Sequence, residues 1–243
     1  MPRENKALKS ARADALLDRL EFLYPLTRKC LLDYTNPFTL LIAVLLSAQT
    51  TDSAVNKVTP LLFGRWPDPQ ALASADIDEV SEVIHSLGFF RAKAKNCVLC
   101  AQQLLSDFGG EVPDSMSGLM SLAGVGRKTA NIVMNCAFDR AEGIAVDTHV
   151  FRITRRLRLS DASDPLRLEQ DLLRLIDASR WGMVNHSLVL FGREFCMAQN
   201  PRCPECPLAD LCPSVAKAGA ARPGAKAGAA RSGAKARANA DGR

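Results

Sequence analysis

Apolar residues recur at helical spacing along most of the chain. Leu8, Leu16, Leu17, Leu20 and Leu23 share one face of a segment from Ala7 to Leu23, which stops before Pro25. Pro37 suits the first turn of an apolar helix running to about Ala48. Shorter periodic segments predict helices over 53–63, 76–87 (with Gly88 as a stop), 91–108, 117–122 and 128–137. Three more are expected over 147–157, 165–178 and 185–191. No stretch alternates with period two between turn signals, so the expected fold is all-α.

Composition supports that reading. Apolar residues make up 47% of 243 residues and aromatics only 6%, a balance that suits helical packing better than sheets. The longest unbroken apolar run, Leu40 to Leu46, is far too short to span a bilayer. The start, Met1-Pro2-Arg3-Glu4-Asn5-Lys6, has no signal-like apolar stretch, so a soluble cytoplasmic protein with no membrane association is expected. In that compartment the eight cysteines are thiols or metal ligands rather than disulfides.

The net charge of +5 resembles a nucleic-acid signature until it is located. Ser214 to Arg243 contributes +6, which leaves −1 for everything before it. Any claim of nucleic-acid binding by the folded part must therefore rest on local clusters. The terminal segment repeats: Ala216–Gly224 recurs as Ala225–Gly233 and, degraded, as Ala234–Gly242. With almost no bulky apolar side chains it cannot offset the entropy of ordering, so residues 215–243 are expected to form a disordered basic tail. Such a tail either tethers phosphates or simply solubilises.

Leu122-Ala123-Gly124-Val125-Gly126-Arg127-Lys128-Thr129-Ala130 is the most informative segment. A helix stops at Gly-Val-Gly and another begins at once. The glycines permit positive φ and close approach of the backbone to another molecule, while the free N–H groups of the second helix favour a phosphate there. An ordinary tight connection is the competing reading, and Arg127-Lys128 weighs against it. Lys128, in the first turn, faces a helix dipole and a neighbouring arginine that both disfavour its charge. A free amine is what attack on a sugar carbon requires; a phosphate-binding lysine is the alternative. Asp147 stands at the start of the next helix, where it can cap backbone N–H groups and present an ionised carboxylate to the amine.

Cys196, Cys203, Cys206 and Cys212 are spaced C-x6-C-x2-C-x5-C, and four thiolates so close gather round one metal centre. Spacing alone leaves an iron–sulfur cluster and structural zinc both open. Cys97 and Cys100 form a CxxC inside a helical pattern, and Cys30 and Cys136 lie in apolar surroundings; all four read as structural.

Together these residues resemble the endonuclease III family, a bifunctional DNA glycosylase/AP lyase family of the helix–hairpin–helix superfamily. The segment Asn36 to Gln49 resembles it as well, and the likeness covers roughly residues 10–214. It implies two helical domains flanking a DNA-binding cleft. Residues 30–140 would form a six-helix barrel with the hairpin. An N-terminal helix in residues 1–29 would join residues 141–214 in a domain that carries a 4Fe-4S cluster on the four cysteines. The resemblance further implies a monomeric bacterial, nucleoid-associated base-excision-repair enzyme. Its partner would be double-stranded DNA with damaged bases or abasic sites, and it would excise oxidised or damaged pyrimidines. Lys128 would form a Schiff base with C1′ and β-elimination would cut the strand, with Asp147 in support. Gln49 would fill the gap left by the extruded nucleotide and Phe89 would wedge against the opposite strand. Arg91, Gly124, Val125, Gly126, Arg127, Thr129, His149 and Arg202 would lie against the DNA.

Each assignment has a plainer competitor. Gln49 can be a polar helix end, Phe89 and Phe90 core residues, and Arg91, Lys93 and Lys95 a solvated helix start. A helical His149 is more commonly structural. The chain also departs from the family pattern. Ala123 replaces a proline in the hairpin, and the Met197–Arg202 loop keeps a single basic residue. Phe89-Phe90 replaces smaller or hydroxylated residues. An adenine-mismatch glycosylase lacks the lysine and carries a glutamate where this chain reads Ile42-Ala43-Val44-Leu45. A non-catalytic or weakly active DNA-binding module and a redox protein built on the cluster are the readings from other classes.

Overall fold

A computed structural model describes residues 4–25 and 30–215 of the chain. The expected tail at 215–243 lies, except for Val215, outside the described residues. Among the described residues the regular structure is entirely helical, as the periodicity predicts. In chain order the α-helices are α1 (Lys6–Leu23), α2 (Pro37–Leu46), α3 (Asp52–Arg65), α4 (Pro69–Ala73), α5 (Ile77–Val83) and α6 (Phe90–Phe108). There follow α7 (Met116–Ser121), α8 (Arg127–Phe138), α9 (Thr148–Arg156), α10 (Pro165–Leu175) and α11 (Trp181–Glu194). None is long and apolar enough to cross a membrane.

Local chemistry sets most of the starts. The side chains of Asn36, Thr51, Asp68, Ser115, Asp147 and Asp164 each accept a backbone N–H three residues on, and Pro37, Pro69 and Pro165 open their helices at N1. Helix α4 was not expected, because five residues carry too little periodicity to register. Helix α5 ends earlier than the pattern suggests. Ile84 and Leu87 remain buried, but in a turn that serves the same core without helical geometry. Helix α10 stops at Leu175 and a 3-10 turn at Ala178–Arg180, capped by Asp177, leads into an α11 longer than expected.

Two hydrophobic cores form. The first runs from Cys30 to Met134 and centres on α2, where every residue from Phe38 to Leu46 is buried. An all-round apolar helix belongs at the middle of a bundle, and each fully buried Leu or Ile there contributes roughly 1.5–3 kcal/mol. The second core joins Leu16, Leu17 and Leu20 of α1 to Ile153, Leu168, Leu172, Leu188 and Phe191 of α9, α10 and α11. Polar ties hold α1 there: Arg12 donates to the Leu157 carbonyl at 2.8 Å, and Arg180 pairs with Asp18 at 2.7 Å.

Candidate functional site

A cleft of about 880 Å³ opens where the two cores meet, lined by residues from both. Lys128 and Asp147 face it, together with Gln49, His149, His186, Asp52 and Arg193. Lys128 is exposed, and its amine has no hydrogen bond or ion pair among the described residues. Asp147 is the N-cap of α9, where its Oδ1 accepts the Val150 N–H at 2.8 Å. The other cleft carboxylate, Asp52, is paired with Arg193 at 2.8 Å, whereas Asp147 has no ion pair among the described residues. Burial pushes the His149 imidazole below its ordinary range against the opposing pull of Asp147, so it is neutral at pH 7, with Nδ1 3.2 Å from Arg152. The free amine and the free carboxylate therefore share one space.

The hairpin is built as its glycines suggest, with one refinement. Gly124 sits at φ +75°, and a Cβ there would also press on Asn96. Gly126 has ordinary extended backbone, and a Cβ on it would meet nothing within 4 Å. Its smallness is demanded neither by φ nor by internal packing; it leaves open surface in front of α8. No side chain caps α8, so the N–H groups of its first turn have no partner inside the helix. Thr129 lies in that turn, and Val125 is buried beneath the loop.

Three basic side chains of this face have partners within the chain. Arg127 turns away from the loop, and its Nε donates to Glu169 Oε2 at 2.6 Å. Arg202 is paired with Glu205 and stacks over Phe195 at 5.8 Å, so the short basic loop loses its remaining free charge. Lys93 is no solvated helix start: it is 6% exposed, and its amine donates to Thr50 Oγ1 at 2.5 Å. That bond ties the corner at Gln49 (φ +53°) to α6, whose N-cap is Phe89 (φ +58°). Both are non-glycine residues in left-handed backbone, a conformation that costs on the order of 1–3 kcal/mol each. Phe89 is 69% exposed and thus not core, while Phe90 packs against the first core with Arg91 over its ring at 5.0 Å.

Where the hairpin lacks its proline, a side chain substitutes. The Ala123 N–H donates to Gln103 Oε1 of α6 at 2.6 Å, a bond that proline could not make. Gln103→Leu should lower stability by about 1 kcal/mol, which is roughly 2–4 °C in Tm for a chain of this size. Adding Ala123→Pro should restore it, because Leu122 is already extended at φ −76° and ψ 145° and so tolerates a following proline. Thermal melts of the single and double variants check this; no recovery in the double variant refutes the substitution.

The four C-terminal cysteines ring a second cavity of about 120 Å³, walled by Leu157, Phe191, Phe195 and Leu208. Burial, then mutual repulsion, pushes the Cys203 thiol up. Arg156 reaches Cys196 Sγ at 3.3 Å. All four thiols face one cavity with an apolar wall, the setting that a cluster bound by four cysteines requires. Cys97 and Cys100 are fully buried on α6, as expected of structural thiols, with Cys100 pushed up to about 12 by burial. Cys30 and Cys136 line the main cleft, which the sequence does not reveal.

Also passed over in the sequence is a polar stripe on α8. Arg127, Asn131 and Asn135 repeat at i, i+4 and i+8, and all three reach the second core. Asn131 Nδ2 donates to Glu169 Oε1 at 2.9 Å, and Asn135 Nδ2 donates to the Gly182 carbonyl at 2.9 Å.

Comparison with known proteins agrees with this geometry. Residues 42–178 match the family of HhH-GPD superfamily base excision DNA repair proteins, and residues 196–212 match the iron-sulfur binding domain of endonuclease III. The chain is 50% identical to endonuclease III of Synechocystis sp. over 208 residues, covering 86% of this chain and 94% of that protein. Against endonuclease III of Bacillus subtilis it is 43% identical over 197 residues, covering 81% and 89%. A solved structure of a trapped endonuclease III–DNA covalent intermediate matches with TM-score 0.81 and 41% identity, over 86% of this chain and 98% of that one. A non-covalent endonuclease III–DNA complex matches with TM-score 0.82 and 40% identity, over 87% and 98%. The chain belongs to the endonuclease III family of helix–hairpin–helix base-excision DNA repair proteins.

Proposed function

We propose that this DNA glycosylase/AP lyase excises oxidised or ring-damaged pyrimidines from duplex DNA, acting as a monomer through Lys128 and Asp147. The observation that carries the reading is one cleft lined by a lysine without a hydrogen bond or ion pair and by an aspartate without an ion pair, among the described residues. The Lys128 amine attacks C1′ of the extruded nucleotide as the C1′–N bond to the base breaks; one amine proton leaves with the base and the other with O4′ as the C1′–O4′ bond opens, which gives the Schiff base and a 4′-hydroxyl. Loss of a C2′ proton then expels the 3′ phosphate by β-elimination. Asp147, held by its cap bond to Val150, stabilises the cationic sugar as the base departs.

The remaining residues serve recognition. Gly124, Gly126 and Thr129 present backbone N–H groups and open surface to a phosphate, while the buried Val125, its own N–H donated to the Leu122 carbonyl at 3.1 Å, holds the loop in shape against the DNA. Gln49 and Phe89, each on a left-handed corner, enter the duplex, one into the vacated gap and one against the opposite strand. Extrusion costs a few kcal/mol and least for a damaged base, which favours lesions. Arg91 and His149 border that path. Residues 30–140 form one domain; residues 1–29 and 141–214 form the other.

The 4Fe-4S cluster is a structural cofactor, held by Cys196, Cys203, Cys206 and Cys212 in a cavity whose size and apolar wall fit it. Cys206→Ser should lower iron and sulfide content together and reduce Tm. Metal analysis checks this, and zinc in place of equal iron and sulfide would overturn the assignment. The reaction itself is tested by borohydride trapping on duplex DNA that contains thymine glycol or an abasic site. A covalent protein–DNA adduct is expected, and its absence refutes the Schiff base.

A further inference from the structure

Helix α10 packs in the second core, yet one of its side chains leaves that core. Glu169 is 3% exposed and reaches α8, accepting Arg127 Nε at 2.6 Å on Oε2 and Asn131 Nδ2 at 2.9 Å on Oε1. These two donors stand one turn apart, on either side of Lys128 in sequence. A carboxylate so buried is tolerable only when paired and hydrogen-bonded, and here both oxygens are used. Gly143 closes the site from the loop before α9: an added Cβ would collide with both Glu169 Oε1 and Asn131 Oδ1. Asn131 Oδ1 itself is buried without a hydrogen-bond partner among the described residues.

We infer that Glu169 is a positioning residue for the reaction, an inference that rests on Lys128 being the nucleophile. By gripping α8 at Arg127 and Asn131 it sets the direction in which the Lys128 amine enters the cleft. The same grip turns the Arg127 guanidinium away from that amine. No side chain caps the first turn of α8, and only Val125 and Ala130 anchor it in the first core, so the polar ties to Glu169 are what fix it toward the second. Lys128 and Asp147 sit on opposite sides of the junction between the cores, so their separation depends on how α8 is tied across it. Displacing a reacting group by about 1 Å can cost on the order of 10²-fold in rate.

The test compares Glu169→Leu, Glu169→Gln and Gly143→Ala by single-turnover borohydride trapping on abasic-site duplex, alongside binding of an uncleavable abasic analogue. Melting and cluster absorbance confirm that each variant is folded. Glu169→Leu should slow trapping by roughly 10²-fold while affinity stays within about threefold, a loss in the chemical step rather than in binding. Glu169→Gln should recover most of the rate. Its amide oxygen still accepts from Arg127, and its NH2 can donate to Asn131 Oδ1 once the Asn131 amide flips. Gly143→Ala, which presses on the pair without changing charge, should slow trapping as well, and it keeps the inference testable if Glu169→Leu fails to fold. Folded variants that trap at the wild-type rate would overturn the inference, as would a Glu169→Gln no better than Glu169→Leu. Absence of an adduct in the wild type would instead remove Lys128 chemistry itself, so the two failures are distinguishable.

Discussion

Lys128→Gln is expected to leave no borohydride-trapped adduct on abasic or thymine-glycol DNA and to slow strand cleavage by on the order of 10⁴-fold or more. The size follows from the kind of group removed. A covalent nucleophile divides one hard step into two easier ones, and an amide has no basic nitrogen to take over. The specificity of the effect follows from the surroundings of Lys128. Its side chain is exposed and makes no hydrogen bond or ion pair among the described residues, so the fold gives up nothing when it is shortened. Stability should move by less than about 0.5 kcal/mol. The backbone N–H groups at the start of α8 are unchanged, so binding of an uncleavable abasic analogue should persist. A variant that still traps at the wild-type rate would place the Schiff base on another amine. The buried Lys93 would not be the first candidate, since its amine is committed to Thr50.

The part of this site that was legible in the sequence is the part built from neighbours along the chain. Asp147 is recognisable as a cap because capping is a three-residue event, and Lys128 as a first-turn lysine because the Gly-Val-Gly stop precedes it. The four cysteines announce themselves by spacing alone, although spacing leaves zinc and a cluster open and it is the family likeness over residues 196–212 that decides between them. What stayed hidden depends on contacts distant in sequence. Glu169 lies 38 and 42 residues from its two partners, and on its own helix it reads as one more charge beside Gln170 and Asp171. Arg127 looks like a phosphate ligand in a list of motifs, and only the packing of α10 shows where its charge goes. Lys93 alternates with Arg91 and Lys95 as though all three faced water, yet a helix turns successive residues by about 100°, and that rotation buries it. The stripe Arg127, Asn131, Asn135 could have been noticed. Three polar residues at i, i+4 and i+8 on a helix that is otherwise apolar beyond its first turn have to meet something polar.

Two duties are proposed for Asp147, and they can be separated by substitution. As N-cap of α9 its Oδ1 accepts the Val150 N–H, a role that asparagine fills about as well. As the unpaired carboxylate of the cleft it offers negative charge to a sugar that becomes cationic, which asparagine cannot do. Asp147→Asn should therefore keep nearly all of the stability, losing only the favourable placement of an anion at a helix start, about 0.3–1 kcal/mol. Its excision rate should still fall by about 10²–10³-fold, the scale seen when one preorganised electrostatic partner is removed. Asp147→Ala removes the cap as well, and should add about 0.5–2 kcal/mol of destabilisation to a similar loss of rate. Asp52 does not compensate, because Arg193 already holds it, and the neutral His149 brings no charge to the cleft. Melting temperatures and single-turnover base release, measured on the same preparations, separate the two duties. If Asp147→Asn excised at the wild-type rate while Asp147→Ala melted early, the residue would be a cap and nothing more. The charge that meets the sugar would then have to come from the DNA phosphates themselves.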